Sequence, residues 1–212
     1  MSTIEAVHVN SARPRSRTTA SPLIPISISA RHVHLSQAHF EALFGPGRKM
    51  TVRTNLTQPG QFACDEQVTL VGPRNSIERV RILGPARPES QVEISKTDSL
   101  KLGLDVPVRA SGDTEGSPGA TLVGPFGKVE LPRGIICAAR HIHMSPADAT
   151  RFGVKDKQIV SVRVESAART LVFENVLVRV HPDFRLDMHI DTDESNSAGI
   201  GVGASGSIVS IA

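Results

Sequence analysis

The sequence contains no tryptophan and no tyrosine, and only seven phenylalanines among 212 residues. A core must therefore be packed from valine, isoleucine and leucine, a composition that favours strands over long helices. Fourteen prolines and 17 glycines punctuate the chain, so it reads as many short strands joined by turns. The same scarcity of rings removes the stacking platforms of nucleic-acid binders. The net charge of +3 is spread over dispersed lysines and arginines, and no nucleic-acid partner is expected. There are two cysteines, Cys64 and Cys137, and no CxxC. This spacing speaks against a disulfide framework, makes a reducing compartment the default, and suggests inert buried thiols. No apolar run approaches the ~20 residues that span a bilayer, and the N-terminus lacks the apolar stretch of a secretory signal. The expectation is a soluble, cytoplasmic protein with no membrane partner.

Residues 1–25 read as a flexible N-terminal extension, rich in Ser, Arg, Thr and Pro over 11–25 and without hydrophobic period. Within it, Ser2-Thr3-Ile4-Glu5-Ala6-Val7 could make barely two helical turns with one apolar side. Order is expected from Ile26-Ser27-Ile28-Ser29-Ala30, whose alternation predicts a strand. Ser36 then caps a two-turn helix that stops at Gly45-Pro46. Over residues 50–94 the pattern becomes strands ended by Gly-Pro pairs, as in Thr69-Leu70-Val71-Gly72-Pro73, which suggests a small barrel or sandwich. The stretch 111–119 is a polar hinge or loop. Thr121-Leu122-Val123-Gly124-Pro125 then repeats the earlier strand end, and Ser145 caps a second short helix. Strands follow up to residue 190, and from Asp191 the chain reads as an acidic, then Gly/Ser-rich tail.

Two stretches organise the rest: Ala30-Arg31-His32-Val33-His34-Leu35-Ser36 and Ala139-Arg140-His141-Ile142-His143-Met144-Ser145. On an extended backbone both imidazoles of each stretch leave one face, while Val33 or Ile142 enters the core. One His-x-His among eight histidines arises by chance about a quarter of the time, but two in the same Arg-His-x-His-x-Ser context mark a duplicated metal clamp. Strand, His pair, Ser cap, short helix and Gly match between 28–45 and 137–153, which implies a pseudo-two-fold internal repeat. Arg31 and Arg140 point away from the first His of each pair on a regular strand, leaving their contact with the site open. His39 reads as a surface residue; His8 and His181 are left out of the ligand set.

Pushing the repeat further, Val92-Glu93-Ile94-Ser95-Lys96-Thr97-Asp98 resembles Met188-His189-Ile190-Asp191-Thr192-Asp193. A catalytic zinc site uses three protein ligands and one open position. The candidate sets are His32, His34 and Glu93 in one half, and His141, His143 and His189 in the other. Zn²⁺ suits both, although ligand type alone does not separate it from Co²⁺, Mn²⁺ or Fe²⁺.

The His pairs, the Pro59-Gly60-Gln61-Phe62 turn, Gly84-Pro85-Ala86-Arg87-Pro88, the loop Ser111-Gly112-Asp113 and His189-Ile190-Asp191-Thr192-Asp193-Glu194 together resemble the PduL-type phosphotransacylases of bacterial microcompartments, over about residues 26–199. The resemblance implies a mainly β fold of two small β-barrel domains with short capping helices, here at 26–110 and 120–205, with strand exchange between halves left open. It implies two Zn²⁺ per chain in one active site, held by the same six ligands, with Arg87 matching the family's phosphate-side arginine. The reaction it implies converts acyl-CoA (propanoyl or acetyl) and phosphate to acyl phosphate and coenzyme A. Implied partners are those substrates, further copies in a homo-oligomer, and microcompartment shell or lumen proteins. The front of the chain departs from the family's packaged members, whose N-terminal amphipathic helix is longer, so microcompartment targeting stays open. Two other classes share the metal logic: a dinuclear zinc hydrolase of thioesters or phosphoesters, and a metal-dependent structural or shell-binding protein without turnover.

Overall fold

Residues 22–211 are described by a computed structural model. The amphipathic segment at residues 2–7 and His8 lie outside the described residues. In chain order the elements are β1 (Ile24–Ser29), β2 (His32–His34), α1 (Gln37–Phe44), β3 (Val52–Asn55), β4 (Phe62–Val71), β5 (Ser76–Gly84), β6 (Gln91–Glu93), α2 (Lys96–Leu102), β7 (Val108–Arg109), β8 (Ala120–Val123), β9 (Lys128–Leu131), β10 (Ile135–Ala138), β11 (His141–Met144), α3 (Pro146–Phe152), β12 (Ile159–Val164), β13 (Leu171–Val180), β14 (Asp187–Asp191), α4 (Thr192–Ala198) and β15 (Ser205–Ile211). The protein is mainly β, as its composition predicts. Strands β1-β14-β11-β13-β12-β15 close a barrel. The others form a curled, half-barrel sheet in the order β7-β10-β6-β2-β5-β4-β8-β9, with β3 beside β4. No helix among the described residues is long and apolar enough to cross a membrane.

Each sheet wraps its own aliphatic core. Ile24, Ile142, Met144, Val162, Val176 and Met188 pack inside the barrel, and Val33, Leu35, Leu43, Leu70, Ile82 and Leu122 pack beneath the open sheet. The helices have seven or eight residues, too few to persist alone. Packing and caps hold them. Ser36, Ser95 and Ser145 accept from the backbone N–H groups of His39, Asp98 and Asp148, and Asp191 accepts from that of Glu194; such a cap contributes about 1 kcal/mol.

The strands before the two His pairs are exchanged. β1 leads into β2 through Ala30 and Arg31, yet it pairs in parallel with β14 of the barrel, Ser27 lying opposite His189. Reciprocally, β10 leads into β11 but pairs in parallel with β6 of the open sheet, Ile136 lying opposite Glu93. The chain thus steps between sheets within two residues, twice, and each step delivers a His pair to the junction.

The duplicated Thr-Leu-Val-Gly-Pro segments pair with each other in the open sheet, antiparallel about Leu70 and Leu122. Their glycines let helices approach. A Cβ on Gly72 would lie 2.6 Å from the Leu102 carbonyl oxygen of α2, and one on Gly124 would lie 2.4 Å from the Leu43 carbonyl oxygen of α1.

Three stretches differ from expectation. The first strand starts at Ile24 rather than Ile26, because Ile24 is fully buried in the barrel. After Ser95 a helix forms where only ligand context was read, closed by Gly103 in the left-handed region. The apparent tail from Asp191 is α4, opened by an Asp191–Glu194 capping box, followed by the strand β15 that closes the barrel. Its small residues serve close packing: a Cβ on Gly206 would sit 2.7 Å from Val162.

Candidate active site

In β2 the rings of His32 and His34 leave one face, and Val33 is fully buried on the other, as strand alternation requires. Their centroids are 4.9 Å apart with planes at 87°. β11 repeats this with His141 and His143 at 4.7 Å and 82°, over a fully buried Ile142. Register supplies the third member of each set: antiparallel pairing puts Glu93 opposite His32 and His189 opposite His141.

Within each set the donor atoms lie within 4.8 Å of one another. Ligands on ~2.1 Å bonds at a tetrahedral zinc stand about 3.4 Å apart, and His32 Nε2 is 3.4 Å from Glu93 Oε2. The Nδ1 atoms of His32 and His141 lie 2.8 and 2.9 Å from the carbonyl oxygens of Ala30 and Ala139. A carbonyl only accepts, so these nitrogens carry the hydrogen and each Nε2 keeps a lone pair for the cluster. Two further buried ring nitrogens, His34 Nδ1 and His143 Nδ1, have no hydrogen-bond partner. An unfilled buried polar atom costs about 1–3 kcal/mol. Five imidazoles and one carboxylate, with partnerless lone pairs in both clusters, fit two zinc ions.

The charge states are compatible with such a site. Burial, aided by His32 and Arg87, pushes His34 down to about 3. Burial and His189 push His141 down to about 4, and burial with His141, His189 and Arg179 takes His143 down to about 2. These rings are neutral near pH 7 and need no deprotonation before binding a cation. Burial alone would raise Glu93, but His32, His34, a hydrogen bond from Ser111 and Arg87 outweigh it and hold the carboxyl below its usual range.

All six candidate ligands and Arg87 line one cleft of roughly 820 Å³, a size suited to a small-molecule site. The strand exchange explains this convergence, since Ser27, on the strand leading into His32, lies opposite His189 of the other cluster. Arg31 also lines the cleft and pairs with Asp98 at 2.7 Å. Its counterpart Arg140 pairs with Glu194 at 2.7 Å and covers the Phe173 ring instead. His39 hydrogen-bonds Ser90 outside the clusters, and His181 is exposed beside Asp183. Burial raises Cys64 to about 11 and Cys137 to about 12, so neither thiol is a nucleophile at neutral pH.

Four residues of the site escaped the sequence reading. Gln91 donates to Glu93 Oε1 at 2.7 Å and to Ser111 Oγ at 3.0 Å, and accepts from the Gly112 N–H. Its counterpart in the repeat, Asp187, is 1% exposed, accepts from Ser27 Oγ at 2.7 Å and has a carboxylate oxygen 3.2 Å from His189 Nε2. Each stands two residues before the third candidate ligand, opposite the second His of its pair. That spacing was the available signal for both. Ser111 belongs to a loop that carries the family resemblance without showing a role for its hydroxyl, and Arg179 is placed by its register with His143.

A family model described as phosphate propanoyltransferase matches residues 25–201. A phosphate propanoyltransferase of Thermotoga maritima is 54% identical over 182 residues, 86% of this chain and 87% of its own. One from Salmonella typhimurium is 53% identical over 176 residues, 83% of each chain. Another, from Shewanella putrefaciens, is 50% identical over 189 residues, 89% of this chain and 87% of its own. The chain belongs to the phosphate propanoyltransferase family. The resemblance drawn from the His pairs and the Arg87 segment therefore holds, and the chain is a phosphotransacylase-type enzyme. The family match spans both clusters and the cleft between them, while most of the N-terminal extension lies outside it.

Proposed function

We propose that this enzyme transfers a short acyl group, propanoyl or acetyl, between coenzyme A and phosphate, at a site that holds two zinc ions. The observation that carries this reading is the convergence of two three-donor clusters and Arg87 on one cleft. His32, His34 and Glu93 hold one ion, and His141, His143 and His189 hold the other. When bound, zinc supplies Lewis-acid polarisation of the thioester carbonyl and stabilises the departing thiolate. Arg87 offers a planar fork of donors to phosphate, and its 3.4 Å donation to Ser111 leaves capacity for that anion. A phosphate oxygen attacks the carbonyl carbon, the C–O bond forms as the C–S bond breaks, and the thiolate leaves as coenzyme A. Both thiols of the chain are protonated and neither lines the cleft, so the acyl group passes directly between substrates in a ternary complex. Action inside a microcompartment and assembly as a homo-oligomer belong to the same proposal and are checked by co-sedimentation with shell proteins and by light scattering.

The test is thiol release from propanoyl-CoA and acetyl-CoA with and without inorganic phosphate, with metal measured on the same sample. Strict phosphate dependence with about two zinc ions per chain supports the transferase. Thiol release without phosphate identifies a hydrolase, and no release in either case identifies a binding protein. His143→Ala should lose one metal equivalent and turnover together; full activity in that variant without its metal sinks the scheme.

A further inference from the structure

The cleft holds four arginines, and two are already engaged. Arg31 is ion-paired with Asp98, and Arg81 donates to the Cys64 carbonyl oxygen at 2.6 Å. Arg87 keeps only its 3.4 Å donation to Ser111 from the guanidinium. The Arg179 guanidinium makes no hydrogen bond or ion pair among the described residues and lies 5.9 Å from the Phe184 ring centroid. It sits on β13 in register with His143, and neighbouring residues in register project to the same face of a sheet. Arg179 therefore enters the cleft from the barrel side, while Arg87 enters from the open sheet. Both side chains line the same cleft. Two guanidinium groups facing one cavity, one of them in no ion pair among the described residues, are a costly arrangement unless an anion comes between them.

We infer that Arg179 is a second anion-binding residue, closing with Arg87 on the phosphoryl oxygens of phosphate or acyl phosphate. This rests on the transferase reading above. A phosphate dianion presents oxygens in several directions. Forks from opposite walls neutralise it and fix its orientation, which a single arginine leaves free to rotate. Phe184, edge-on against His143 at 4.4 Å, lies beside the Arg179 guanidinium. The pairing also joins the halves functionally, since each sheet contributes one arginine beside one metal cluster.

The test uses the full-length, metal-loaded protein. In Arg179→Met the KM for inorganic phosphate should rise about ten- to a hundredfold, the range for losing a charged hydrogen bond. The KM for acyl-CoA and the metal content should stay at wild-type values. Arg179→Lys should fall between, since it restores charge without the fork. An unchanged phosphate KM overturns the inference, as does a rise confined to acyl-CoA, which would assign Arg179 to coenzyme A's own phosphates. Phosphate-independent thiol release by the wild type sinks the transferase reading instead. An independent arm needs no variant: inorganic phosphate should slow phenylglyoxal modification of Arg179, mapped by peptide mass. Modification unaffected by phosphate refutes the assignment.

Discussion

Replacing Asp187 by Asn changes one atom of a buried carboxylate and isolates what it does to the second metal cluster. Asp187 is 1% exposed, holds the Ser27 hydroxyl at 2.7 Å and lies 3.2 Å from His189 Nε2, with its other oxygen lacking a partner. Asn keeps the shape and an acceptor for Ser27. It loses the negative charge that orients an imidazole and raises its basicity. Removing such an outer partner lowers metal affinity about 10–100-fold, or roughly 1.4–2.8 kcal/mol. The first cluster should be untouched, because its corresponding partner is the neutral Gln91, which donates to Glu93. The assay is competition with chelators of graded affinity, reading metal per chain. In Asp187→Asn one equivalent should be stripped at 10–100-fold weaker chelation and the other at the wild-type point. Ser27→Ala serves as control, since it removes the 2.7 Å donor but leaves the carboxylate. Equal chelator resistance in wild type and Asp187→Asn refutes the reasoning. So does an equal loss in Ser27→Ala, which would assign the effect to strand packing.

Acid should destabilise the metal-stripped protein. His34 and His141 have folded values of about 3 and about 4 against an ordinary 6.5, so the unfolded chain takes up protons first as pH falls below 6.5. Stability is full above that value and declines toward the folded values by up to roughly 1.4 kcal/mol per pH unit for each ring. Urea unfolding of the stripped protein at pH 7.5, 6 and 5 checks this, and equal stability at all three contradicts it. Gly124→Ala should cost about 1–3 kcal/mol, because its Cβ would meet the Leu43 carbonyl oxygen at 2.4 Å. Gly201→Ala has nothing within 4 Å and should melt as the wild type; equal melting temperatures for the two variants would remove the packing argument.

Local chemistry was legible in the sequence wherever it repeats at short range. The His-x-His alternation, the serine caps and the β-branched runs act over a few residues, and backbone geometry turns them directly into clamps, helix starts and strands. Duplication extended that reach to the candidate third donor, because Glu93 and His189 sit in matching local contexts. What lay beyond is set by pairing between distant strands. Nothing in Ile24–Ser29 says that it joins the barrel rather than the sheet containing the next His pair. The tail-like composition after Asp191 hid a closing strand whose small residues fit against Val162 and Arg163. Gln91, Asp187 and Arg179 drew no notice because each matters only through the residue across the ladder. The sequence by itself determined the two His pairs and the candidate third donor of each. The exchange of strands between two sheets placed both clamps on one cleft, because backbone hydrogen bonds are blind to side-chain identity and the choice of partner strand is decided by packing of the whole.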